Sequence, residues 1–188
     1  MKKIAAAVGA ALLAFGLGAP VANAATPASS PSATSATCAA HWSSLPKSIP
    51  TLSQATVENV RAGRHGCFDR LVIILHGKAA GYNVRYVDQV LAQGSGKPVP
   101  LRGGAFLDVT VTSPAFDAAG RPTFVPANPS EVVNVGGFAT FRQVAWAGSF
   151  EGYTSLGLGV RARLPFRVFI LNGPDGGSRL VVDVAHRW

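Results

Sequence analysis

The sequence predicts an all-β domain, a sandwich or a barrel. Three observations carry this: seven or more short apolar or alternating segments follow one another from about Ala55 on, turn-forming clusters separate them, and helical periodicity is weak throughout.

The first strand is expected over residues 68–75, where Phe68-Asp69-Arg70 leads into five apolar residues, Leu71 to Leu75. An unbroken run of that kind predicts a strand covered on both faces. Residues 82–87 alternate in part and residues 106–112 alternate cleanly, the pattern of strands with one buried face. Further strands are expected over residues 141–150, 154–160, 166–171 and 179–184. The last two flank Asn172-Gly173-Pro174-Asp175-Gly176-Gly177-Ser178, which predicts a hairpin loop. Residues 87–92 fit one short turn or helix. Residues 113–137 break the pattern, because Pro114, Pro122, Pro126 and Pro129 prevent a regular ladder there. A loop that long in a compact domain is either a functional edge or a tolerated insertion, and both readings stand.

Ahead of the domain, Met1-Lys2-Lys3, an almost uncharged stretch from Ile4 to Val21 and Ala22-Asn23-Ala24 have the order of a secretory signal peptide. Residues 1–24 are therefore expected to be removed. No Cys directly follows the apolar run, which argues against a lipid anchor. Residues 25–40 are Ala, Ser, Thr and Pro with one Cys and no charge, the composition of a flexible tether. Residues 41–188 are the expected domain. No later stretch approaches the ~18 consecutive apolar residues of a spanning helix, so no transmembrane segment is expected in the mature chain.

Two cysteines, Cys38 and Cys67, survive processing, and an even count in an exported chain predicts a disulfide. Closing that loop stabilises by roughly 3–4 kcal/mol and staples the segment around Trp42 to the domain. A Cys67 thiol nucleophile beside His65 is the competing reading.

The chain is basic, with a formal net charge of +8, and export separates it from cytoplasmic nucleic acid, which is not expected as a partner. After processing Lys47, Lys78 and Lys97 are the only lysines, and every other cationic side chain is arginine, the planar donor that matches carboxylate and phosphate. A high-GC genome gives the same bias. No catalytic motif accompanies this charge. Ser95 follows Gln93-Gly94 without forming a G-x-S-x-G elbow, and H-E-x-x-H, C-x-x-C and phosphate-binding glycine patterns are missing. His41, His65, His76 and His186 lack ligand spacing, so no metal site and no cofactor are expected. Asp183 and His186, three apart, face opposite sides of one strand. Paired carboxylates need not be sequence neighbours, but the chain has only nine acidic residues to supply them. No catalytic residue is assigned, and the chain is not expected to be an enzyme.

The strongest binding feature is Arg161-x-Arg163-x-Pro165-x-Arg167. At period two Arg161 and Arg163 share a face, and Arg167 returns to it if Pro165 keeps register. Phe150 and Tyr153, just upstream, supply an apolar platform. Such a row suits the peptide carboxylates of peptidoglycan or the phosphates of wall polymers. It fits equally a solvated face whose arginine stems cover the sheet. A second basic group, Arg61, Arg64 and Arg70, fits a binding face and pairing with Asp69 and Glu58 equally well. Trp188 is expected to pack, making the C-terminus part of the sheet.

Arg61-x-Gly63-x-His65-x-x-Phe68-Asp69-Arg70-Leu71-Val72, Gly81-Tyr82-x-Val84-x-Tyr86-Val87, Phe150-Glu151-Gly152, Arg161-Ala162-Arg163-Leu164-Pro165-Phe166-Arg167-Val168 and Leu180-Val181-Val182-Asp183-Val184-Ala185-His186 together resemble the AMIN-like domain of secreted actinobacterial proteins. The resemblance covers residues 38–188. It implies a compact β-sandwich of two small sheets with little helix, and a place in the cell envelope beside amidases or secretins, without catalytic residues of its own. No amidase or secretin segment is visible in this chain. The reading that results is a secreted or wall-associated, non-catalytic domain whose partner is a cell-wall polymer or an envelope protein. The alternative is an exported interaction module or inhibitor that uses the Pro-rich loop 113–137.

Overall fold

The computed structural model describes Cys38 and residues 41–188; the expected signal peptide and the expected tether apart from Cys38 lie outside the described residues. The described chain is all β, with eleven strands: β1 Lys47–Ile49, β2 Thr56–Arg64, β3 Phe68–His76, β4 Tyr82–Val87, β5 Val90–Leu91, β6 Pro98–Val99, β7 Ala105–Val111, β8 Phe141–Phe150, β9 Tyr153–Val160, β10 Phe166–Asn172 and β11 Ser178–Ala185. Two antiparallel sheets stack as a sandwich, one ordered β1-β4-β7-β9-β8 and the other β10-β11-β3-β2, with β5 and β6 forming a separate ribbon.

Period-two alternation builds the core between them. β3 buries Leu71, Ile73 and Leu75, and β11 buries Leu180, Val182 and Val184, in one cluster with Leu107 and Val109 of β7 and Leu156 and Leu158 of β9. The run Leu71–Leu75, which predicts cover on both faces, is covered on one. Val72 and Ile74 point to the outer side and stay partly exposed, because among the described residues no layer lies over that side of the four-stranded sheet.

The opposite outer face, on the five-stranded sheet, is covered. Residues 87–92, expected as a turn or helix, instead lead into the β5–β6 ribbon, which begins a return that lies across this sheet. Backbone bonds from Gln93 N to Ala147 O (2.6 Å) and from Gly104 N to Val160 O (2.8 Å) hold it there. The Gln93 amide donates to Ser155 Oγ (2.7 Å), which shares a hydrogen bond with Thr110 Oγ1 (2.6 Å). The approach is possible because β9 carries glycines beneath it. A Cβ at Gly157 would sit 2.8 Å from Leu101 Cδ1, and one at Gly159 would collide with the Arg102 carbonyl oxygen. Backbone cannot yield as a flexible side chain does. Gly159→Ala is therefore expected to lower stability by about 2–3 kcal/mol, read as a fall in urea midpoint at constant m.

Both open sides of the sandwich are closed by segments without regular structure. Near the N-terminus Ser43 bridges Phe166, and Lys47 Nζ lies 3.8 Å above the Phe166 ring, where burial lowers its pKa. On the other side the Pro-rich loop ties the β2 edge to the β8 edge. Val57 N donates to Pro114 O (2.8 Å) and Thr123 Oγ1 to Val57 O (2.7 Å), while Val132 N donates to Val144 O (2.8 Å) and Trp146 N to Pro129 O (2.7 Å). Val135 is buried in the core, and Phe124, Val132 and Phe138 pack against it. The loop thus occupies edges that would otherwise invite pairing with another chain. The β10–β11 connection is the expected hairpin loop, with a short 3-10 turn at Pro174–Gly176.

Candidate functional site

Among the described residues one sheet is covered and the other bare, and the outer face of β10-β11-β3-β2 is the surface on which charged and aromatic side chains stand together. Register places Arg167 of β10, Asp183 of β11 and Arg70 of β3 side by side in one row. Asp183 points outward yet is 0% exposed, because the two guanidiniums roof it. Arg70 donates from Nε to Oδ1 (2.6 Å) and from Nη2 to Oδ2 (2.9 Å); Arg167 donates from Nε to Oδ2 (2.8 Å). Hydrogen bonding to Asp183 raises the Arg70 pKa further, against the opposing effect of burial. One carboxylate shared by two fixed cations leaves the row positive.

Aromatic rings frame this row. The Arg167 guanidinium lies 4.3 Å from the Trp42 ring and 5.2 Å from that of Phe169; Arg70 lies 5.2 Å from Phe68 and 5.5 Å from Phe169. Trp42 and Phe68 meet edge to face at 5.7 Å, and His65 stacks on Phe68 at 4.4 Å. Trp42 comes from the irregular segment before β1. The Cys38–Cys67 disulfide fastens that segment beside the start of β3, with the two Cα atoms 5.1 Å apart. The disulfide also removes the reading of Cys67 as a thiol nucleophile. Arg167 keeps 42% of its side chain exposed, and among the described residues its two Nη groups make no hydrogen bond. A cation held by its Nε, with a free donor fork and flat rings on either side, has the chemistry to pair with an anionic group.

The arginine row of the sequence is not a strand face. Residues 161–165 cross from β9 in one sheet to β10 in the other, so the chain turns between Arg163 and Arg167 and the period-two argument lapses. Arg161 Nη2 donates to the His186 carbonyl. Arg163 lies 5.0 Å from the Tyr86 ring and donates to the Ser44 carbonyl (3.3 Å). The crossing itself is clamped by Tyr86, whose hydroxyl donates to Leu164 O (2.8 Å) and accepts from Leu164 N (2.9 Å); burial raises its pKa. Phe150 and Tyr153 flank the β8–β9 turn and are 48% and 38% exposed. They stand at the far end of β9 from Arg161, roughly 26 Å away at the strand rise of ~3.3 Å per residue. The structure therefore brings Arg167 into the aromatic row, leaves Arg161 and Arg163 at the same end of the sandwich, and separates Phe150 and Tyr153 from all three. Trp188, expected to pack, is 67% exposed, although its Nε1 donates to Arg163 O (3.2 Å).

The second basic group also pairs otherwise than expected. Arg70 bonds Asp183 rather than Asp69, because Asp69 faces the core. Asp69 accepts from Thr140 N (2.6 Å), Phe141 N (3.0 Å) and His186 Nε2 (3.1 Å). Arg64 donates to Gly137 O (3.4 Å), and Arg61 makes no ion pair among the described residues. Trp42, Phe68 and Phe169 carry no local sequence signal of a site. Period-two alternation through residues 68–74 separates Phe68, Arg70, Val72 and Ile74 from the core residues, but which strands lie beside them is not a local property.

A family model, the AMIN-like domain, matches residues 55–186, well over half of the chain. The chain belongs to the AMIN-like domain family. Comparison with curated proteins and with solved structures returns no match. AMIN-like domains are related to the cell envelope and are in general non-catalytic binding domains, and with the disulfide this points to an extracytoplasmic location. Among the described residues no helix is long and apolar enough to cross a membrane, and no group of His, Cys, Asp and Glu is arranged to hold a metal ion. In this AMIN-like domain Trp42 and Cys38 precede the matched residues, so the ring stacked on Arg167 is delivered from outside the matched region.

Proposed function

We propose that this protein is an exported, non-catalytic domain that holds an anionic cell-wall component, with peptidoglycan the first candidate. The supporting observation is the Arg70–Asp183–Arg167 row with Trp42 stacked on it, standing on a sheet face that no other layer covers among the described residues. A guanidinium with free donors takes a carboxylate or phosphate in a charge-assisted pair. Rings beside it give sugar and peptide carbons a flat apolar surface. Arg161 and Arg163, at the same end, extend the positive field along a polymer instead of joining Arg167 in a row. Phe150 and Tyr153 contribute only if the polymer runs the length of the sandwich. No cofactor enters this reading, and the mature chain stays at the wall by binding.

The test is co-sedimentation of the secreted form with isolated sacculi at low and high salt. Pelleting is expected to weaken with salt and to fall about tenfold for Trp42→Ala combined with Arg167→Ala, the scale of one lost charged hydrogen bond. Arg161→Ala with Arg163→Ala should reduce it less, and Phe150→Ala with Tyr153→Ala least. Undiminished pelleting of the Trp42/Arg167 variant would remove the face from the proposal. The second reading, an interaction module or inhibitor, rests on the tip of the Pro-rich loop, where Val125 is 72% exposed. Salt-insensitive capture of an envelope protein, lost on Val125→Ser, would favour it.

A further inference from the structure

At the far end of the same outer face, beside the β10–β11 loop, lies a cavity of about 440 Å³. Its floor is Ile74, four residues along β3 from Arg70 and so roughly 13 Å from the aromatic row. Around that floor stand Arg61, Arg179, Glu58 and Asp175. Two cations and two anions share one concavity, yet among the described residues none of the four forms an ion pair. Arg179 Nη2 donates to Asn172 O (3.0 Å), while its Nε is buried without a hydrogen-bond partner. A buried donor left unpaired is uncommon and costly, and here it sits on a fixed guanidinium in a hollow.

The charges define what fits. Two carboxylates repel a bare anion, two guanidiniums repel a metal ion, and the apolar floor favours a ligand with carbon between its polar ends. We propose that this cavity binds a short zwitterionic peptide, its carboxylate on Arg61 and Arg179 and its ammonium group against Glu58 and Asp175. The inference deepens the wall-binding reading and rests on it for the source of the peptide, the peptide portion of a wall polymer whose anionic part lies along Arg167. The cavity itself is independent of that source.

The probe is trialanine with both termini free, added to the isotope-labelled secreted form and followed by amide chemical shifts. Saturable shifts are expected in residues 58–61 and 173–179. N-acetylated and C-amidated trialanine are each expected to bind at least about tenfold more weakly, since either cap removes one charged pair. Arg61→Ala, an exposed side chain without an ion pair among the described residues, is expected to weaken binding about tenfold without lowering Tm; Arg179→Ala should abolish it. No shifts at millimolar trialanine, or equal binding of the capped peptides, would overturn the proposal. Trialanine binding without sacculus pelleting would keep the cavity and discard the wall as its source. Sacculus pelleting without trialanine binding would do the reverse.

Discussion

Replacing Asp69 by alanine is expected to lower the folding free energy by about 3–5 kcal/mol, the range for breaking a buried, hydrogen-bonded ionic site. Asp69 is 0% exposed and faces the core, where it satisfies two backbone N–H groups at the start of β8 and the ring of His186. Alanine leaves the buried Thr140 and Phe141 N–H groups without a partner and takes the carboxylate from the His186 ring, whose side chain is 18% exposed; each buried orphan costs about 1–3 kcal/mol. A domain whose total stability is about 5–15 kcal/mol is brought close to unfolding by such a change. Asp69→Asn keeps one acceptor oxygen and should fall between alanine and the wild type. The measurement is urea unfolding followed by tryptophan fluorescence. A midpoint shift equivalent to less than about 1 kcal/mol would show that the His186–Asp69–Thr140 junction does not hold the three strand ends together.

The second large effect concerns the staple. Cys38→Ala with Cys67→Ala is expected to cost roughly 3–4 kcal/mol, the loop-closure entropy for a sequence separation of 29. A second consequence separates this staple from a purely stabilising one. Trp42 reaches Arg167 and Phe68 from a segment that this disulfide fastens to the domain. Reduction should therefore free the ring before the sandwich unfolds. Under mild reductant a blue-to-red shift in tryptophan emission is expected while the strand signal in circular dichroism persists, and sacculus pelleting should drop to the level of Trp42→Ala. Unchanged pelleting after complete reduction would mean that Trp42 is held by Phe68 and Arg167 alone.

Much of the sheet content was legible because it rests on local rules. Residues 82–87 and 166–171 carry strands close to where alternation and β-branched content put them, and the Asn172–Ser178 cluster turns the chain as its glycines and proline dictate. β2 was missed because Arg61, Gly63 and Arg64 interrupt its apolar pattern, and pairing with β3 overrides that weak local signal. Residues 87–92, expected as a turn or helix, enter a ribbon for a related reason. The ribbon is held by what lies beneath it, glycines on β9 and the Ser155–Thr110 pair, and none of these is near it in sequence.

The candidate site shows the same division more sharply. Arg161, Arg163 and Arg167 look like one row because alternation assumes one continuous strand, but a change of sheet at residues 161–165 divides them. Asp183 and Arg70 are 113 residues apart, and Asp183 and Arg167 are 16 apart. Their joint identity as a clamp exists only once β11 lies between β10 and β3. The amino-acid sequence by itself determined an all-β chain, the pairing of its two cysteines and its family, since composition, alternation and motif order are local or one-dimensional properties. Tertiary structure decided which face of which sheet stays bare, which arginines share an acid, and where Trp42 comes to rest. Those depend on strand order and layer packing, which bring together residues that no spacing rule connects.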